Sequence, residues 1–223
     1  MAFGKAAGCI ILAGMAMASA AQFPARHEHW HDRCAGTLTI DEKGVSFAGP
    51  KKHAWSWKYQ DIEQFTLSAD RVTVMTYRDN KLLLGADRSY TFTGKIPAAE
   101  LYTLLKDRLD QRFVAALGTE TAVPAWSYAV KHLGRIAGSE GTLTFGADRV
   151  VYATDAKGDS RTWRYSDIDN ISSSGPFELT VVTFEREGLG DRRGFHFELK
   201  GRMEEAAYDA IWMEIQRKNG KIQ

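Results

Sequence analysis

The sequence predicts a mainly β protein built from two copies of one unit, each with about seven short strands closed by an amphipathic helix. Three observations predict it. The first is repetition. Gly36-Thr37-Leu38-Thr39 returns as Gly141-Thr142-Leu143-Thr144, and Trp57-Lys58-Tyr59-Gln60-Asp61-Ile62 returns as Trp163-Arg164-Tyr165-Ser166-Asp167-Ile168. The second is order. A further echo pairs residues 71–77 with 178–184, and the offsets drift from 105 to 106 to 107, as single-residue loop insertions in a duplicated domain would produce. The third is period. Apolar residues alternate at period two through most of each copy, then switch to helical spacing near its end.

Residues 1–21 read as an address label. Lys5 precedes a small-residue apolar run over 6–18, and Ala18-Ser19-Ala20 supplies an A-x-A cleavage site. This is the pattern of a Sec-type signal peptide, which directs the chain to the periplasm or outside the cell. The run is shorter and richer in Ala and Gly than the roughly 20 strongly apolar residues of a membrane span. Cys9 stands before most of the apolar run, whereas a lipoprotein cysteine follows it. Without the leader's Lys5, Lys+Arg falls from 29 to match the 28 Asp+Glu. A neutral mature chain offers no global electrostatic case for nucleic acid or acidic membranes. Cys9 leaves too, so Cys34 is the sole remaining cysteine and hydrophobic cores must supply the stability. With 44% apolar residues, two cores of ordinary size are expected.

The first unit spans 22–113. Leu38 and Ile40, then Val45 and Phe47, alternate with polar residues on either side of the turn at 41–44, predicting two paired strands. Trp55, Trp57 and Tyr59 share one face of the next strand. Residues 62–67, 72–77, 82–84 and 90–92 are expected to complete the sheet. Pro97 suits the first turn of a helix, and Leu101, Leu104, Leu105 and Leu109 form its apolar stripe. Residues 114–125, punctuated by Gly118 and Pro124, read as a linker. The second unit, 126–218, follows the same plan, with strands around Leu143, Val150, Trp163, Ile168, Leu179 and Phe195. Its helix starts near Met203 and carries Ala207, Ile211 and Ile215 inward. Residues 219–223 form a tail.

This plan resembles the pleckstrin-homology (PH) superfold, and bacterial PH-like domains in tandem above all, which share a Trp-x-Tyr-x-Asp-Ile signature after the third strand. The resemblance covers about residues 34–218 and rests on order and pattern. It implies two partly open β-barrels, each plugged at one end by its helix, used for docking and rarely for catalysis. The lipid-binding members carry a Lys/Arg cluster on the first hairpin. Here that hairpin offers only Lys43 and Arg149, each beside an acid, so a lipid site is not carried over.

The sharpest local cluster is His27-Glu28-His29-Trp30-His31-Asp32 followed by Cys34. His27, His29, His31 and Cys34 are ligand types for Zn or Cu, and period-two histidines share a face when the segment is extended. The competing reading is a polar lead-in near the mature N-terminus. His132 stands at the repeat offset from His27, which gives that histidine a structural claim. Cys34 in an oxidising compartment invites a disulfide-linked dimer, against burial as a small hydrophobe. Trp57, Tyr59 and Asp61, with Trp163, Tyr165 and Asp167, are the most faithfully repeated residues. They read as core aromatics and turn-capping carboxylates rather than a ligand platform. No G-x-S-x-G, C-x-x-C or P-loop is present. The glycine-rich run at 188–194 falls between expected strands and reads as a hairpin loop. The expectation is an exported, non-catalytic binding or scaffold module with no cofactor, docking a protein or peptide. The alternatives are a metal-binding protein using the histidine cluster and a peripheral membrane protein.

Overall fold

Alternating burial defines the strands. The computed structural model describes residues 20–29, 33–50, 53–80, 85–121, 123–134, 137–187, 190 and 192–222. The first copy comprises β1 (Ala21–Glu28), β2 (Arg33–Ile40), β3 (Gly44–Ala48), β4 (Ala54–Lys58), β5 (Ile62–Ser68), β6 (Arg71–Asp79), β7 (Asp87–Thr93) and α1 (Ala98–Leu105). Strand β8 (Phe113–Ala116) follows. The second copy comprises β9 (Pro124–His132), β10 (Ser139–Gly146), β11 (Arg149–Ala153), β12 (Arg161–Arg164), β13 (Ile168–Gly175), β14 (Glu178–Thr183), β15 (Arg193–Leu199) and α2 (Glu205–Lys218). Most of the leader, His31 and the strand expected at 82–84 lie outside the described residues.

The protein is mainly β, and its described strands join into one large sheet. Its order is β13-β14-β15-β9-β10-β11-β12, then β8, then β5-β6-β7-β1-β2-β3-β4. The same seven-strand order therefore occurs twice, on either side of β8. Two separate hydrophobic clusters lie against it, one gathering Leu38, Phe65, Phe92 and Leu101, the other Leu143, Trp163, Phe195 and Ile211. Burial of apolar surface at roughly 25 cal/mol per Å² is the main favourable term for each.

Three details differ from the sequence reading. Ala21, assigned to the leader, is buried opposite Ile40 at the start of β1. That strand alternates strictly, with Ala21, Phe23, Ala25 and His27 inward, so the repeat starts well before Cys34. The segment 114–125 is no simple linker, since its first residues belong to β8. Phe113-Val114-Ala115-Ala116 is buried at every position, the unalternating apolar run of a strand covered on both faces. It pairs in parallel with β5 and meets β12 at Thr162 opposite Ala115. Finally, α1 ends at Leu105, with Leu109 buried beyond it.

Polar contacts tie the copies at this joint. Thr162 Oγ1 donates to the Leu117 carbonyl at 2.8 Å, and Arg164 donates to the carbonyls of Lys106 and Asp110. Arg186 from the second copy pairs with Glu63 and, at 3.1 Å, with Asp87.

The repeated Gly-Thr-Leu-Thr has a steric cause. A Cβ at Gly36 would lie 2.4 Å from the Ala48 oxygen and 2.5 Å from the Phe47 ring. At Gly141 it would lie 2.3 Å from the Ala153 oxygen and 2.8 Å from the Tyr152 ring. Gly141→Ala should therefore cost about 1–3 kcal/mol by overpacking. Gly175→Ala, with nothing within 4 Å of its Cβ, should stay within about 0.5 kcal/mol. Urea unfolding of the two variants checks this.

Candidate metal centre

Antiparallel pairing builds the site. In the β1–β2 register His27 stands directly opposite Cys34, and His29 follows the end of β1. Period two in the next hairpin supplies a fourth group. His53 precedes Trp55 and Trp57 at that spacing, which places it on their face.

Three donor groups converge on the ring nitrogen of a fourth. His29 Nε2 lies 2.9 Å from His27 Nδ1, 3.1 Å from His53 Nδ1 and 3.4 Å from Cys34 Sγ. The candidate ligand atoms of His27, His29 and Cys34 all fall within 4.8 Å of one another. A ring nitrogen carries either one proton or one in-plane lone pair, so His29 Nε2 cannot satisfy three neighbours by hydrogen bonding alone. A cation placed among them would accept all four. For bonds of about 2.0–2.1 Å to nitrogen and 2.3 Å to sulfur, tetrahedral donors sit roughly 3.3–3.6 Å apart. The observed spacings lie close to that range, so the residues present fit a small N/S-liganded ion.

The surroundings are apolar and aromatic. His27 is buried, and its ring centroid lies 4.6 Å from Trp55, 5.3 Å from Phe92, 6.0 Å from Tyr90 and 6.2 Å from Phe47. Burial, with His29, His53 and Arg88 adding to it, lowers the His27 pKa to about 4. The imidazole is therefore neutral at ordinary pH, the state a metal ligand needs. His29, Cys34 and His53 are half-buried, which leaves the cluster a path to solvent.

The second copy lacks this set. His132 faces Ser139 in the same register that pairs His27 with Cys34, but Tyr152 replaces Phe47 and its hydroxyl shares hydrogen bonds with Ser139 at 2.8 Å. Gly134 and Arg161 stand where His29 and Trp55 would repeat. Arg161 is buried against Glu185, which also accepts from Trp163 Nε1 at 2.9 Å. His132 Nδ1 is buried without a partner among the described residues.

The other sequence-marked residues lie elsewhere. Trp57 and Trp163 are buried in the two cores. Tyr59 donates to the Asp41 carbonyl at 2.5 Å and Tyr165 to that of Gly146 at 2.7 Å, the same bond in both copies. Asp61 and Asp167 accept the backbone N–H of Lys58 and Arg164 at 3.4 and 2.8 Å, closing one-turn 3-10 helices. None of these touches the histidine cluster except through Trp57, which stacks on Trp55. Sequence reasoning missed His53. Its signal was the spacing to Trp55, visible only once the aromatic face is known to meet β1.

No family model and no curated protein matches the chain. Among solved structures, the C-terminal domain of an unknown protein from Leishmania infantum is similar at 18% identity and TM-score 0.32. That match covers 42% of this chain and 84% of the other. A structure titled the Spt16D Pob3N heterodimer is similar at 15% identity and TM-score 0.32, covering 74% and 83%.

Two histidines make acid stability predictable. Burial also lowers the His132 pKa, with Arg193, Arg161 and His196 adding to it and Asp159 opposing. Between the ordinary value of 6.5 and the depressed folded values, the unfolded chain binds protons that the folded chain does not. Stability of metal-free protein should thus be fully present above about pH 6.5 and fall on acidification toward about pH 4. Urea midpoints across that window check it, and a flat profile would contradict neutral burial.

Proposed function

We propose that this is an exported, non-catalytic β-repeat module that binds one d-block metal ion, of the Zn or Cu class, through His27, His29, Cys34 and His53. The observation that carries the reading is the convergence of three donors on His29 Nε2 at 2.9, 3.1 and 3.4 Å. Lone-pair donors gathered this closely, with one thiol among them, suit imidazole- and thiolate-binding metals. All four positions come from the protein, which is the closed arrangement of structural or storage sites rather than the open one of hydrolytic sites.

The fold proposed with it is two PH-like, partly open barrels joined through β8, each closed by the helix after its seventh strand. The seven-strand order given twice and the two separate cores support that reading. Protein or peptide docking has no comparable cluster of groups behind it, so metal binding takes precedence. The signal-peptide pattern supports export.

Equilibrium dialysis against Zn(II), or against copper kept reduced, followed by elemental analysis, should give one ion per chain. His53→Ala and Cys34→Ser should each weaken binding by at least about tenfold, since removing even an outer-shell partner costs that much. His132→Ala, at the corresponding position of the second copy, should leave affinity unchanged. Binding that survives loss of both His53 and Cys34 would move the ion elsewhere.

A further inference from the structure

We infer that the His27/His29/Cys34/His53 centre selects a soft monovalent cation, cuprous copper, over Zn(II). This inference rests on the metal-binding reading above and sharpens it. Its argument is a charge count. The four groups supply one negative charge, the Cys34 thiolate, since three imidazoles bind as neutral ligands. Cu(I) on this set gives a complex with no net charge. Zn(II) on the same set leaves one uncompensated positive charge.

The surroundings make that difference matter. A buried charge is costly unless it is paired, and the rings of Trp55, Phe47, Phe92 and Tyr90 crowd His27. The described charges nearby offer a cationic site little relief. Glu28 is engaged by Arg33 at 3.7 Å. Arg88 lies 5.0 Å above the Tyr90 ring, and that ring in turn packs on His27. A fixed positive charge one ring away repels a net cationic complex and leaves a neutral one alone. Thiolate and imidazole suit both metals, so ligand type leaves the choice to charge. Loading is balanced simply: Cu(I) forms its bond to Cys34 sulfur as the thiol proton passes to solvent, with no change in oxidation state.

The test is anaerobic competition on the full mature protein. Cu(I) is titrated against a chromophoric Cu(I) chelator, and Zn(II) against a chromophoric zinc chelator. One equivalent of Cu(I) should also displace Zn(II) from Zn-loaded protein. The exposed Arg88 gives a second handle that leaves every donor in place. Arg88→Gln should raise Zn(II) affinity by about two- to fivefold while moving Cu(I) affinity by less than about twofold. If Zn(II) resists displacement, or if Arg88→Gln moves both metals equally, the charge argument is wrong although the metal centre stands. If neither metal binds, the metal-binding reading itself falls, and this inference with it.

Discussion

The pairing of the first strand of each unit against the second is the constraint on which the rest depends. It places His27 opposite Cys34 and His132 opposite Ser139. The next pairing, of the second strand with the third, brings Gly36 and Gly141 under the aromatic rings of Phe47 and Tyr152, so closely that no side chain fits there. A slip of one residue would turn Phe23, Ala25 and His27 to solvent and bring Gln22, Pro24 and Arg26 inward. The hydrophobic cost of that exchange fixes the register, and the register fixes which polar groups meet. The chemistry of the site is thus inherited from packing rather than imposed on it.

The two copies show what one register does with different side chains. In the second, Tyr152 lends a hydroxyl to Ser139, and Arg161 with Glu185 occupies the neighbouring ground. Those polar groups satisfy one another, as buried polar groups must. In the first copy Phe47 offers no hydroxyl, Cys34 replaces the serine, and Trp55 replaces the arginine. The polar groups left there are three imidazoles and a thiol, rich in lone pairs and poor in protons to share. The same place in the fold holds a tyrosine–serine hydrogen bond and an arginine–glutamate pair in one copy and an open donor set in the other.

Much of the repeat was legible because its motifs are structural. Trp57 and Trp163 fill cores, Tyr59 and Tyr165 make the same bond to a turn carbonyl, and Asp61 and Asp167 close the same short helix. Such residues recur because the fold needs them twice. Strand β1 was hidden because its first residue was read as part of an expected leader, although its alternation through Ala21, Phe23, Ala25 and His27 was present all along. Strand β8 was hidden for the opposite reason, since four buried residues in a row carry no period. His53 was hidden by distance along the chain. It lies 24 residues from His29, and only the return of β3 and β4 across β2 brings it to the cluster.

The placement of that cluster suits a weakness of the fold. Strand β1 pairs with β7 at only two positions, Arg26 with Thr93 and His27 with Phe92. Pro24 has no N–H to contribute where the two strands part. The β3–β4 hairpin is also weakly held at its outer side, because β4 has β3 as its only neighbour in the described sheet. An ion held by His27, Cys34 and His53 would cross-link β1, β2 and the β3–β4 turn at this end. No disulfide among the described residues does so. A ligand that binds only the folded state stabilises it by mass action. The hairpin edge and β1 would gain most, because their ladders hold them least.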